Sequence, residues 1–235
     1  MPFRLPNDQQ RSVVIGKTGS GKTVAGIWQL SERSWPFMPW IIYDFKRDQL
    51  IARIPGIQEI SLTDIPTQPG LYVVRPLPGQ EDELELQLQR IWQTGNIGVY
   101  IDEGYMFQNS RWFIAILTQG RSKRIPVITL TQRPSWITRF VFSEADFIQV
   151  FWLNDARDRK TVESFVPYNL NERLPPYWSI WYDVGEDRVT TLRPVPREDR
   201  IIARFAERMP APPPADAPDE GEAEPERERR RFILL

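Results

Sequence analysis

Residues 11 to 23 read Arg11-Ser-Val-Val-Ile-Gly-Lys-Thr-Gly-Ser-Gly-Lys-Thr23, an apolar run that passes into glycines and ends on a lysine and a threonine. The spacing Gly16-x-x-x-x-Gly21-Lys22-Thr23 is that of a phosphate-binding loop. Small residues there let successive backbone N–H groups turn inward around an anion. Gly16, Lys17, Thr18, Gly19, Ser20, Gly21, Lys22 and Thr23 are therefore assigned to a nucleoside triphosphate, with Lys22 directed at the β- and γ-phosphates and the Thr23 hydroxyl at Mg²⁺. Ser12-Ile15 is a β-branched run before the loop, and Val24-Arg33 after it has helical character, so strand, loop and helix come in the required order. The helix would also bring the positive end of its dipole to the triphosphate.

A nucleotide hydrolase needs an acidic site as well, and Ile97-Gly-Val-Tyr-Ile-Asp102-Glu103 supplies an apolar strand ending in two carboxylates. In this Walker B arrangement Asp102 holds Mg²⁺ through its water shell. Glu103, turned to the other side, orients and polarises a water for attack on the γ-phosphate. The next strand, in Val127-Ile-Thr-Leu-Thr-Gln132-Arg133-Pro134-Ser135, ends on a polar amide. Gln132 is either a γ-phosphate sensor or the start of a loop in which Pro134 opens the next helix.

Val13-Ile15, Trp40-Tyr43, Leu71-Val74, Ile97-Ile101, Val127-Leu130 and Phe147-Leu153 read as short buried strands. Helices are expected at Thr23-Arg33, Glu81-Gln93, Trp112-Gln119 and Ala156-Phe165. The second carries Leu84, Leu88, Ile91 and Trp92 along one face. This alternation predicts an α/β fold of the P-loop NTPase type: a mainly parallel sheet, helices on both faces, and ligands at the carboxyl ends of the strands. Trp178-Asp183 and Arg188-Leu192 flank Val184-Gly-Glu-Asp187 and predict a hairpin at the sheet edge. The expected organisation is an ATPase domain over 1–209 and a tail over 210–235, Pro-rich and acidic, too polar to bury a core and ending in Phe232-Ile-Leu-Leu235.

Composition removes other chemistries. The chain of 235 residues has neither histidine nor cysteine, which excludes Ser-His and Cys-His catalysis, histidine metal ligation and disulfides. With no long apolar run and no signal-like start, a soluble intracellular protein is expected. The net charge is −1, but residues 210–235 hold seven acidic groups and four arginines, leaving the rest weakly basic at 26 against 24. Only five of the 30 basic residues are lysines, a bias that fits either phosphate contacts or a GC-rich genome.

Taken together, Gly16-Thr23, Trp40-Ile-Ile-Tyr-Asp44-Phe-Lys46, Asp102-Glu103 and Leu130-Thr-Gln132-Arg133-Pro134-Ser135 resemble the FtsK/HerA superfamily of hexameric DNA-translocating ATPases over residues 11–165. The Gln-Arg-Pro-Ser element is its most specific part. Within the superfamily, the small size and the immediate N-terminal loop look most like genome-packaging ATPases of tailless, internal-membrane viruses of the tectivirus type. The resemblance implies ATP and Mg²⁺ as cofactors, a homo-oligomeric ring (a hexamer) and double-stranded DNA in its channel. It also implies action in the infected cell or at the packaging vertex of the virion. There is one departure: relatives donate an arginine to the neighbouring subunit from the strand after Gln-Arg-Pro, and Asp146-Leu153 contains none. Arg121 and Arg124 are the first substitutes, with Arg139 and Arg157 behind them.

Two segments stay open at this stage. Lys46 and Arg47 either face DNA phosphates or are simply solvated, and the Trp35-Trp40 aromatics either stack on DNA or pack at the sheet or an interface. The apolar end Phe232-Leu235 is read either as a docking element for a capsid vertex or membrane-associated packaging protein, or for a neighbouring subunit, or as an unselected end of a polar tail. A P-loop small-molecule kinase and an assembly or secretion ATPase acting on protein remain as alternative functions.

Overall fold

Seven parallel strands and an antiparallel pair make one nine-stranded sheet in the computed structural model, which describes residues 4–209. β1 (Arg11–Ile15) leads through the glycine loop into α1 (Lys22–Ser31), and β2 (Pro39–Tyr43) is followed by the short α2 (Gln49–Ala52). β3 (Gln58–Glu59) and β4 (Gly70–Val74) precede α3 (Glu81–Thr94), β5 (Gly98–Ile101) and α4 (Arg111–Gln119). β6 (Val127–Thr131), α5 (Phe140–Ser143), β7 (Phe147–Val150) and α6 (Ala156–Glu163) follow, then the hairpin β8 (Ser179–Asp183) and β9 (Arg188–Leu192), and last α7 (Glu198–Arg208).

The strand order is β3-β4-β2-β5-β6-β1-β7-β8-β9, antiparallel only at β7-β8 and β8-β9. The central strands are buried along their whole length because helices cover both faces, which is why they read as continuous apolar runs. Alternate residues serve opposite cores. Val13, Ile15, Tyr43, Val99 and Ile101 meet α3 to α6, and Val14, Ile42, Tyr100, Ile128 and Leu130 meet α1, α2 and α7. The placement of β6 decides the site. It lies between β1 and β5, with Val13 and Ile101 both opposite Thr129, so the loops after three neighbouring strands open on one edge.

The predicted strands, helices and hairpin are all present, with small changes at their ends. β7 stops at Val150 because Phe151 and Trp152 turn along the glycine loop, the Lys17 N–H donating to the Trp152 carbonyl at 3.4 Å. β3, α2, α5 and α7 were not anticipated. α7 matters most of these, since its Ile201 and Phe205 are buried against the α1 face and Phe205 sits 5.7 Å from Trp35. Arg204 pairs with Glu32, and Arg53 reaches Glu198 and Asp199 from α2. Trp35, Met38 and Trp40 are core residues, leaving Phe37 as the exposed tip of that loop. The tail and its Phe232-Leu235 end lie outside the described residues. Among the described residues no helix is long and apolar enough to cross a membrane.

Candidate active site

The glycine loop is shaped by contacts that exclude side chains. Gly21, the residue before α1, has φ 92°, a left-handed conformation that glycine adopts without strain. A Cβ on Gly16 would come within 2.8 Å of the Phe151 Cβ and closer still to the Ser20 hydroxyl. No side chain caps α1 and no acidic residue occupies its first turn, so its leading N–H groups are open to an anion. Lys22 is buried at the start of this helix.

Asp102 and Glu103 follow β5 on the same edge, and both are buried. Thr23 Oγ1 lies 3.4 Å from Asp102 Oδ1. Gln132, one residue past β6, sits between the two loops as the strand order requires. Its Nε2 donates to Glu103 Oε1 at 2.7 Å, and its Oε1 accepts from the Thr18 hydroxyl at 2.5 Å. Lys22 Nζ stands 4.0 Å from the same Glu103 oxygen. Asp102 Oδ2, Glu103 Oε2 and the Ser20 hydroxyl are buried with no hydrogen-bond partner in the protein. Unmet buried acceptors cost roughly 1–3 kcal/mol each, so a cluster of them marks places for ligands the protein does not itself supply.

Burial sets the titration of the groups here. It lowers the Lys22 ammonium below its ordinary value against the opposing pull of Asp102 and Asp48. It raises the Asp102 carboxyl, with Lys22 and Lys46 pulling it back. Lys46 is lowered by burial and then by Lys22. Its Nζ is paired with Glu103 Oε1, a partner the sequence did not indicate. The turn that carries it is pinned by Asp44, which accepts from the Asp48 N–H at 3.0 Å and from Arg75 at 3.3 Å.

Two further features had no clear signal in the sequence. An open cleft of about 480 Å³ runs from Gly21 along Val24, Phe151, Tyr177 and Pro194 to Pro196, with an apolar lining suited to a flat ring. Tyr177 holds φ 65° there, and a Cβ on Gly21 would lie 3.3 Å from its ring. A polar cleft of about 530 Å³ opens beside Lys17, Thr18 and Gln132, where Arg133 approaches Asp155 at 3.7 Å and Asp158 at 3.6 Å. Arg121 and Arg124 lie elsewhere. They follow α4 in the turn that feeds the start of β6, beside Lys123, whose carbonyl accepts from the Asn96 N–H just before β5. That is the edge opposite the glycine loop, so neither reaches the nucleotide site of its own chain. Arg139 lies over the Phe165 ring, and Arg157 is exposed at the start of α6.

A DNA packaging ATPase of Enterobacteria phage PRD1 is 46% identical over 217 residues, covering 87% of this chain and 96% of the relative. The chain belongs to the family of viral DNA-packaging ATPases. No family model matches the sequence. The packaging ATPase shares its fold with the genome packaging NTPase of Sulfolobus turreted icosahedral virus 2 in complex with AMPPCP. That match has a TM-score of 0.66 at 19% identity, over 81% of this chain and all of the other. The pCW3 conjugation coupling protein TcpA with ATPγS gives 0.55 at 15% identity, over 85% of this chain and 64% of that one.

Proposed function

We propose that this packaging ATPase hydrolyses ATP between the glycine loop and Glu103, and uses the energy to move double-stranded DNA into a viral particle. The observation that carries the reading is the Gln132 bridge. An amide that touches both the phosphate loop and a buried glutamate is placed to sense the γ-phosphate and to hold the carboxylate that handles water. A small-molecule kinase gains nothing from such a carboxylate, and the kinship to a DNA packaging ATPase sets the protein-secretion alternative aside.

The backbone N–H groups of residues 16–23 and Lys22 would cradle the triphosphate, and the Tyr177 cleft would take the base. Thr23 and Asp102 fit Mg²⁺: a hydroxyl and a buried carboxylate oxygen without a partner are a suitable oxygen pair for an ion that keeps most of its shell as water and phosphate. Bound there, the ion would neutralise charge on the β- and γ-phosphates. Glu103 holds the attacking water and takes its proton while the water oxygen bonds to the γ-phosphorus and the bond to the β-phosphate oxygen breaks, leaving ADP and phosphate.

In a homo-oligomeric ring, a hexamer in this reading, Arg121 or Arg124 would serve the neighbouring subunit's nucleotide. The segment 210–235 would dock on a vertex or membrane-associated protein at the packaging site in the infected cell. Replacing the one that serves should then lower turnover with nucleotide binding retained, unchanged turnover in both variants removes the assignment, and deleting 210–235 should lower capsid association. The central test is steady-state phosphate release with and without double-stranded DNA over a salt series. Turnover should rise with DNA and the rise should weaken with salt. A response absent at every salt concentration overturns the motor reading.

A further inference from the structure

Exposed apolar side chains meet in a cleft at the edge where the nucleotide loops open. Leu77, in the turn after β4, and Met106, past β5, are 56% and 45% exposed. Both line a cleft of about 200 Å³ whose walls include Phe45, Leu84 and Tyr105. Its inner end reaches Lys46 and Glu103, and its outer rim is acidic. Glu81 lines it, and Asp82 and Glu83 follow in the first turn of α3, exposed and without an ion pair among the described residues. Leu86, one turn beyond Asp82 on the same helix face, is exposed as well.

Charge separates this cleft from the other exposed aromatic and apolar groups. Trp136 and Phe140 follow Arg133 and Arg139, and the Arg133 guanidinium lies over the Trp136 ring at 5.3 Å. A peptide with arginines ahead of apolar residues is repelled there and attracted at the acidic rim. The chain carries such a peptide. Arg229-Arg-Arg231 runs directly into Phe232-Ile-Leu-Leu235, so cations and apolar groups come in the order of rim and cleft. The described residues end at Met209, next to Gly56 on the far edge of the sheet. Residues 210–231 reach up to about 70 Å when extended, several times one strand length of roughly 17–20 Å, so the cleft is within their span.

We propose that residues 232–235 dock in the Leu77 and Met106 cleft of their own chain, with Arg229-Arg-Arg231 on the Glu81-Asp-Glu83 rim. This goes beyond the ATPase reading and does not depend on it. The element offered above to a vertex protein has here a resting place on its own domain.

The chain has no cysteine, so an introduced pair forms a disulfide with no competing thiol. The experiment follows oxidation of the full-length chain carrying Leu77→Cys with Ile233→Cys, against Phe37→Cys with Ile233→Cys as control. Phe37 is exposed in the loop whose Trp35 packs on Phe205 of α7, close to where residue 210 begins, so random encounter favours the control. The Leu77 pair should nonetheless close within one chain about tenfold faster, because docking raises the local concentration of its partner. Arg230→Glu should slow that closure by about threefold or more, and adding Glu83→Arg should restore it. Equal rates for the two pairs overturn the proposal. A disulfide formed only between chains overturns the same-chain assignment and gives the cleft to a neighbouring copy. A rate unmoved by either charge change overturns the pairing of the arginines with the rim. None of these readouts uses ATP hydrolysis, so their failure leaves the motor reading standing, and failure of that reading leaves them intact.

Discussion

Two buried polar groups of this molecule, less than a strand apart, are built on opposite rules. Beneath β1, Ser12 donates to Gln29 at 2.7 Å, Gln29 to Gln149 at 2.8 Å and Gln149 to Ser179 at 2.9 Å, a chain of neutral groups that ties α1, β1, β7 and the hairpin together. At the other end of β1, Lys22, Asp102 and Glu103 are charged and buried, with Asp102 Oδ2 and Glu103 Oε2 left without partners. The first group links its neutral side chains to one another, with the buried Arg33 also donating to the Ser12 hydroxyl at 3.3 Å, and serves the architecture. The second is incomplete, its buried acceptors left without a partner in the protein.

The sharpest way to break this contrast is Glu103→Gln, which keeps the shape and removes the base. Phosphate release should fall by about 10²–10⁴-fold while the melting temperature stays near wild type. A variant that loses stability as heavily as turnover would place Glu103 with the scaffold. The reverse result is expected for Gln29→Leu. It leaves the Ser12 hydroxyl and Gln149 short of a partner and should cost about 2–3 kcal/mol, with turnover per folded molecule retained. In a domain of this size that corresponds to a fall in Tm of roughly 5–10 °C, readable by calorimetry.

The smallest effect is a gain. Asp102 has its pKa raised by burial, so ionising it costs the nucleotide-free fold. That cost is fully present above the raised folded value and disappears as pH falls below the unfolded one. Asp102→Asn should therefore raise the Tm of the nucleotide-free protein slightly at neutral pH. The advantage should vanish on acidification through the carboxylate range, and Mg²⁺-dependent turnover should be lost. A Tm difference that does not change with pH would mean that burial of the charge is not its source.

Much of the fold was legible because its signals are local. Apolar runs bounded by turns located the central strands, and Val184-Gly-Glu-Asp187 located the hairpin. α7 was missed although Ile201 and Phe205 stand four apart behind Glu198 and Asp199, a pattern that identifies a helix even close to a polar tail. β3 carries no such pattern, being two exposed residues. In the candidate site, the place of Asp102 and Glu103 at the end of a buried strand was legible from the apolar run before them. Lys46 could not be assigned, because a lysine in a polar turn reads alike whether it points to solvent or to a carboxylate 57 positions away. Tyr177 was overlooked for the same reason, since its place beside Gly21 depends on how the chain returns from β7.

The sequence by itself determined the chemistry. Glycines at a fixed spacing with Lys22 and Thr23 form an anion cradle wherever a strand precedes them and a helix follows, and the absence of histidine and cysteine left carboxylates and cations as the working groups. The tertiary structure decided which of those groups meet. Insertion of β6 between β1 and β5 carries Gln132 to the space between loop and carboxylate, and the turn after β2 delivers Lys46 to Glu103. The physical reason is that backbone conformation follows near neighbours in sequence, whereas a contact between distant side chains exists only once strand order and register are set.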